Sequence, residues 1–133
     1  NMDVTMSLLE EDFEGICFVN LVDFDMLYGH RNDVKGYTDA LNAFDVRLGE
    51  FLPKMREGDV LMITADHGCD PGFPGTDHTR EYVPFLCCGS GIRDGVNLGT
   101  RDSYADIAAT VADILEMKYD GDGESFLEKM RNR

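Results

Sequence analysis

Residues 59–67 read DVLMITADH, a short and almost continuously apolar run that ends in an acid and an imidazole. Residues 15–25 read GICFVNLVDFD and follow the same plan, with acids at the end. Apolar runs of this length that are rich in β-branched and aromatic residues are typical of strands covered on both faces. The sequence therefore predicts buried strands over residues 15–22 and 59–65.

The segment between the two runs has the period of a helix. Apolar side chains recur there at spacings of three and four, at Tyr37, Leu41, Phe44, Leu48, Phe51, Leu52 and Met55. This spacing predicts a one-faced helix over residues 34–56, with Asn32 or Asp33 as its cap and Gly58 after its end. A strand–helix–strand unit of this length indicates a right-handed crossover between parallel strands.

The remaining segments add helices and one further strand. The elements predicted are helices over residues 3–13, 103–117 and 124–131, and a strand over residues 82–88. Pro84 restricts the first half of that strand to a sheet edge or a strand start. Residues 68–81 hold three glycines and two prolines and are predicted to form a loop. The order of elements predicts a single α/β domain, with helices packed on a mostly parallel sheet.

The composition excludes several classes of function. The chain of 133 residues has 26 acidic and 12 basic side chains and a net charge of −14, which disfavours binding to nucleic acid. No apolar run approaches roughly 18 residues and no basic-then-apolar leader opens the sequence, so neither a membrane span nor a secretion signal is predicted. The four cysteines are expected to be reduced thiols. We expect a cytoplasmic protein that binds neither nucleic acid nor membrane.

Acids and histidines follow the predicted strands. Asp25 follows the first strand, and Asp66 and His67 follow the second. Because the carboxyl ends of parallel strands lie along one edge of a sheet, these side chains are expected at one rim together with His30 and His78. Carboxylate oxygens and neutral imidazole nitrogens suit manganese or zinc, so a metal site is predicted. The alternative is that the acids only cap turns and the histidines are solvated.

Four strings give a more specific indication. They read NLVDFD at 20–25, YGHR at 28–31, TADHGCDP at 64–71 and GTDHTREYVP at 75–84. Together they resemble the phosphopentomutases of the alkaline phosphatase superfamily, over about residues 3–117. The DHG string alone would indicate only the superfamily. The Asp-x-x-x-x-His spacing of Asp25 and His30, with the TDHTRE string, is more particular to the pentomutases.

The resemblance implies a site for two manganese ions. The implied ligand sets are Asp25, His30 and His78 for one ion, and Asp66 and His67 for the other. It also implies phosphoryl transfer between the 1- and 5-hydroxyls of ribose or deoxyribose, through a phosphothreonine enzyme and a bisphosphorylated sugar. Arg80 is a candidate contact to the phosphate of such a pentose phosphate substrate. The ligand set itself accepts zinc, manganese or magnesium.

The family's threonine nucleophile, a further aspartate ligand and a cap domain have no counterpart in the chain. The threonines considered, none at the position expected for the nucleophile, are Thr64, Thr76, Thr79 and Thr100. The resemblance therefore implies the C-terminal portion of the metal-binding catalytic core, inactive on its own. A sheet edge without its neighbouring strand is expected to favour self-association.

Two alternatives to a pentomutase stay open at this point. One is another phosphoryl-transfer enzyme of the superfamily, such as a phosphoglycerate mutase or a phosphodiesterase. The other is a non-catalytic α/β metal-binding module. Substrate trials separate the first from a pentomutase, and metal titration of histidine variants tests the second.

Overall fold

The computed structural model describes residues 2–131 and contains helices and one small sheet. The helices are α1 (Met2–Leu8), α2 (Val34–Phe51), α3 (Ala105–Ile114) and α4 (Leu127–Met130), and the strands are β1 (Val60–Thr64) and β2 (Phe85–Gly89). Short turns of π- or 3₁₀-helix lie at Phe24–Tyr28, Gly29–Arg31 and Leu52–Lys54. The α/β class predicted from the sequence is confirmed.

The long helix predicted over residues 34–56 is confirmed as α2. Of the two candidate caps, Asp33 is the one used, and its side chain accepts a hydrogen bond of 2.8 Å from the Gly36 amide. The helix tightens into the 3₁₀ turn Leu52–Lys54, which contains a proline. Gly58 then turns the chain with a φ of 99°, a backbone conformation that glycine adopts without strain.

The sheet departs from the prediction in direction and in strand number. β1 pairs with β2 in antiparallel register, with Met62 opposite Cys87, and no other strand joins them within residues 2–131. The parallel sheet and the crossover predicted from the sequence are therefore wrong for this part of the chain. Residues 15–22 form no strand, and the Phe18 side chain is 89% exposed. A strand forms only where a neighbouring strand accepts and donates its hydrogen bonds, and the sheet of the described residues contains β1 and β2 alone.

The other predicted elements form, but they are shorter than expected. α1 covers only the first part of residues 3–13, and α3 and α4 lie within their predicted ranges. β2 begins directly after Pro84, because proline has no amide hydrogen for a sheet ladder. The Pro84 carbonyl accepts a hydrogen bond of 2.9 Å from the Thr64 hydroxyl, which joins the end of β1 to the start of β2.

The core lies between the sheet and the two C-terminal helices. The buried side chains of Phe126, Leu127 and Met130 pack against Met62, Phe85 and Cys87 of the sheet, among others. The Phe85 and Phe126 rings meet edge to face, with centroids 5.1 Å apart. Aromatic pairs prefer this arrangement. The buried Thr110 hydroxyl donates to the Asp106 carbonyl and accepts from the Phe126 amide, so it joins α3 to the start of α4.

Two further expectations concern the whole described chain. Cys17, Cys69, Cys87 and Cys88 are all free, as the sequence predicts. Within residues 2–131, no helix combines the length and the apolar character that crossing a lipid bilayer requires.

Candidate metal centre

Short segments on either side of α2 and β1 carry the predicted ligands. Asp25 and His30 lie in two consecutive helical turns directly before α2. His67 follows the end of β1, and His78 lies in the loop that leads to β2. The structure therefore brings these four side chains together from two regions of the sequence, although no strand precedes Asp25 and the predicted pair of parallel strands does not form within the described residues.

The turn that carries Asp25 is fixed on α2 by aromatic contacts. The ring centroid of Phe24 lies 5.5 Å from that of Tyr37 and 6.3 Å from that of Phe44. Gly36 lets the turn approach closely, because a Cβ at this position would lie 2.4 Å from the Tyr28 ring. These contacts hold the turn that carries Asp25 against α2.

The three histidines of the chain converge on the Asp25 carboxylate. The Nε2 atom of His30 lies 3.2 Å from Asp25 Oδ2, and those of His78 and His67 lie 3.5 Å and 4.0 Å from Asp25 Oδ1. The His67 and His78 rings stack with centroids 3.6 Å apart. One ligand atom each of Asp25, His67 and His78 lies within 4.8 Å of the others. Bonds of about 2.0–2.2 Å place ligand atoms roughly 3–4 Å apart around one ion, so this group is close to a coordination shell.

Backbone carbonyls set the tautomers of two of these histidines. His30 Nδ1 donates to the Thr76 carbonyl at 2.5 Å, and His67 Nδ1 donates to the Gly68 carbonyl at 3.0 Å. Because a carbonyl only accepts, the hydrogen of each neutral ring lies on Nδ1, and Nε2 presents its lone pair to Asp25. Lone pairs directed at a carboxylate repel it unless a cation or added protons lie between them. The hydrogen bonds thus leave the Nε2 lone pair of both rings available to a cation.

The Asp25 carboxylate oxygen that faces His67 and His78 is an acceptor without a hydrogen bond. Its Oδ1 atom is buried and has no hydrogen-bond partner. A buried acceptor left unpaired costs about 1–3 kcal/mol, so such atoms in native proteins call for a partner. A divalent cation would satisfy this oxygen and the imidazole nitrogens around it together. The donor set of one carboxylate and three imidazoles therefore fits a divalent metal ion.

The other two predicted residues lie at the periphery of this group. Asp66 is exposed, and its Oδ1 atom lies 3.6 Å from His67 Nε2. Arg80 is exposed and lines an open cleft of about 920 Å³ together with Gly68 and Thr79. The division of the ligands between two ions, and the contact of Arg80 with phosphate, stay predictions.

Sequence reasoning gave no role to Cys69, although its thiol lies beside the ligands. A Cβ on Gly29 would lie 2.5 Å from Cys69 Sγ and 3.4 Å from Asp25 Oδ1, so the absence of a side chain lets the two segments approach. Burial raises the pKa of the Cys69 thiol, and the charges of Asp25, Glu81 and Asp70 raise it further. The thiol is therefore protonated at neutral pH, the form that is a poor ligand and nucleophile.

Three more residues near the ligands were not recognised from the sequence. Thr76 and Gly68 act through their backbone carbonyls, which leave no signal in a sequence. The Thr79 hydroxyl accepts a hydrogen bond of 2.7 Å from the Asp70 amide. A hydroxyl residue directly after a candidate ligand, in a loop rich in glycine and proline, is the signal that could have indicated it.

Comparison with known proteins gives matches over nearly the whole chain. Residues 1–119 match the Metalloenzyme superfamily. A protein of Clostridium novyi named "Phosphopentomutase" is 54% identical over 129 residues, which cover 97% of this chain and 33% of that protein. Its namesake in Acetivibrio thermocellus is 57% identical over 126 residues, 95% of this chain and 32% of that protein. The namesake in Herpetosiphon aurantiacus is 50% identical over 131 residues, 98% of this chain and 34% of that protein.

The chain thus spans about a third of the length of the curated relatives it matches. The expectation that this third is the C-terminal portion of the catalytic core is not supported by these matches. The predicted likeness to pentomutases agrees with the names of the relatives.

Proposed function

The chain belongs to the Metalloenzyme superfamily, and we propose that it forms the metal-binding part of a phosphopentomutase. The reaction would move a phosphoryl group between the 1- and 5-hydroxyls of ribose or deoxyribose. The observation that carries the proposal is the convergence of three imidazoles on the Asp25 carboxylate, with His67 and His78 facing its buried, unpartnered Oδ1 atom and His30 facing Oδ2. The names of the relatives support the choice of a pentose phosphate as substrate.

Two divalent ions are proposed for the complete site, with manganese as the metal that the resemblance implies. The proposed ligands are Asp25, His30 and His78 for one ion, and Asp66 and His67 for the other. The first ion is supported by the Nε2 atoms of His30 and His78, which lie 3.2 Å and 3.5 Å from the Asp25 carboxylate oxygens. The exposed Asp66, whose Oδ1 atom lies 3.6 Å from His67 Nε2, supports a second ion. When bound, such ions polarise phosphoryl oxygens and neutralise the charge that develops during transfer.

The residues of this chain would mainly hold and orient groups for the reaction. The carbonyls of Thr76 and Gly68 keep the Nε2 atoms of His30 and His67 directed at the site. Arg80 lines the cleft beside the loop, where a guanidinium can bind phosphate oxygens through two parallel hydrogen bonds. These roles bind and position a phosphate without supplying the nucleophile.

Two of the threonine hydroxyls near the site already make hydrogen bonds to other groups. Thr64 donates to the Pro84 carbonyl, and Thr79 donates to the Glu81 carboxylate. Neither hydroxyl is therefore free to attack a phosphoryl group, in agreement with the proposal that the phosphothreonine forms on another part of the enzyme.

The first test separates metal binding from turnover. We expect the chain to bind Mn²⁺ in isothermal titration and to give no conversion of ribose 1-phosphate to ribose 5-phosphate. His30→Ala and His78→Ala should each weaken the binding. Unchanged affinity in both variants would favour a non-catalytic module whose histidines bind no metal. Turnover by the chain alone would contradict the proposal that it forms only the metal-binding part of the enzyme.

A chimera tests the reaction itself. Residues 2–131 would replace the matching third of the Clostridium novyi relative, and the product would be assayed with ribose 1-phosphate and with a phosphoglycerate. We expect mutase activity on the pentose phosphate, lost in the same chimera carrying His78→Ala. A folded chimera that acts only on the phosphoglycerate would replace the proposed substrate.

The state of the cysteines bears on the compartment. All four are free thiols. Burial raises the pKa of Cys87 to about 11, with the neighbouring Cys88 acting in the same direction. Unpaired thiols persist in reducing compartments, which supports a cytoplasmic location for the proposed enzyme.

Free sheet edges and exposed apolar side chains predict self-association of the chain. Each strand of the two-stranded sheet has one edge without a partner within the described residues. Tyr82 is 88% exposed and Leu86 60% exposed. Unpaired edges of this kind add strands from other chains, so we expect a mass above that of one chain in light scattering at high concentration.

Leu86→Lys is expected to lower that mass, because a charge on an edge strand opposes pairing. The matched control is Val46→Lys on α2, at a side chain that is 63% exposed. A single-chain mass over the whole concentration range, before any substitution, would contradict the prediction.

A further inference from the structure

The loop between His67 and His78 is closed at its base by the backbone. The Thr79 amide donates to the Gly68 carbonyl at 3.1 Å, and the two residues form an isolated antiparallel bridge. Each residue of the bridge directly follows one of the two histidines whose rings stack. The bridge therefore fixes the distance between the two backbone segments that carry these rings.

The Thr79 side chain adds two hydrogen bonds to this closure. Its hydroxyl accepts from the Asp70 amide at 2.7 Å and donates to the Glu81 carboxylate. A hydroxyl is both a donor and an acceptor, and here both capacities are used. One side chain thus connects the two sides of the loop, which otherwise has no regular structure.

Gly68 makes this close approach possible. A Cβ at that position would lie 2.7 Å from the Glu81 amide nitrogen and 2.7 Å from the Thr79 carbonyl oxygen. Both atoms belong to the backbone and cannot rotate away. The two segments therefore pack at a distance that only glycine permits, and the Thr79 hydroxyl lies where they meet.

We propose that Thr79 is a positioning residue of the metal centre, whose hydroxyl holds the His67 and His78 rings stacked beside Asp25. The inference rests on the proposed metal-binding function and adds a residue outside the ligand set. Thr79 acts through the loop and contacts no reacting atom. Valine has nearly the same shape but neither donates nor accepts, whereas serine keeps both hydrogen bonds.

The test compares Thr79→Val with Thr79→Ser in the chain. Removal of a group that orients metal ligands typically weakens metal affinity about 10- to 100-fold, so we expect that loss of Mn²⁺ affinity for valine. Serine should bind within about threefold of the unsubstituted chain. Thr38→Val is the matched control, because its exposed hydroxyl donates only to the Val34 carbonyl within α2.

A second readout needs no metal. Stacked imidazoles shift each other's ring protons in nuclear magnetic resonance spectra, and we expect Thr79→Val to remove the mutual shifts of His67 and His78. Unchanged affinity together with unchanged shifts would overturn the inference. If the unsubstituted chain binds no Mn²⁺, the proposed metal function fails, while the ring shifts still decide the role of Thr79. Should Thr79→Val not fold, Glu81→Ala removes one of the two hydrogen bonds and is measured in the same way.

Discussion

Asp25→Asn is expected to weaken Mn²⁺ binding by on the order of 100-fold or more, with no loss of stability in the absence of metal. Asp25 supplies the carboxylate on which the Nε2 atoms of three histidines converge. Asparagine has the same shape but no charge to offset that of the ion. Its amide group can donate to an imidazole lone pair that a carboxylate repels. The metal-free variant should therefore melt at the same temperature as the unsubstituted chain, or higher.

Thermal unfolding with and without Mn²⁺ separates these two effects. A ligand that binds only the folded state stabilises it by RT ln(1 + [L]/Kd). At a Mn²⁺ concentration near the Kd of the unsubstituted chain, the rise in melting temperature should therefore nearly disappear in Asp25→Asn. The control is Asp39→Asn on α2, which removes an exposed carboxylate paired only with Lys35. An undiminished rise in Asp25→Asn would show that the ion binds elsewhere.

The residues of the candidate site could be selected from the sequence because short local patterns indicate them. Each lies after an apolar run or in a short motif, and the structure brings Asp25, His30, His67 and His78 within one group. The grouping by distance differs in part from the ligand sets that the resemblance implies. The ligand atoms that lie within 4.8 Å of one another belong to Asp25, His67 and His78, whereas the resemblance assigns His67 to a different ion from Asp25 and His78. The positions of the ligand atoms depend on contacts between segments far apart in the sequence, such as the hydrogen bond from His30 to the Thr76 carbonyl. Such contacts leave no periodic pattern in the sequence.

The helices could be predicted better than the sheet, for a related reason. A helix satisfies its hydrogen bonds within one segment, so the apolar spacing of α2 was enough to predict it. A strand depends on a partner, and an apolar run indicates burial without indicating direction. Residues 60–64 pair with an antiparallel strand across the loop that follows them, whereas the similar run at 15–22 forms no strand in the described part.

Asp106→Ala is expected to lower the melting temperature by on the order of 10 °C, the largest stability effect that we predict. The Asp106 side chain is buried, and it accepts hydrogen bonds from Arg101 at 2.7 Å and from the Glu124 amide at 2.9 Å. These bonds join α3 to the segment that leads into the buried Phe126. Alanine leaves the guanidinium and the amide without their acceptor. Circular dichroism measures the melting temperature, and Asp113→Ala at an exposed acid of α3 is the control.

The loss of stability in Asp106→Ala should depend on pH, because the Asp106 carboxylate titrates. The hydrogen bond from the Glu124 amide, and then Arg101, lower the pKa of Asp106 below its ordinary value of 3.8. A carboxyl whose pKa is lower in the folded state stabilises it above the unfolded-state value, and this contribution is lost as the pH falls through the folded-state value. The difference in unfolding free energy between the unsubstituted chain and Asp106→Ala should therefore stay constant from neutral pH to about pH 5 and shrink below 3.8. A difference that stays constant in urea titrations down to the acid limit would contradict this account. Because Asp106 lies on α3, away from the histidines, Mn²⁺ affinity at neutral pH should not change in the folded variant.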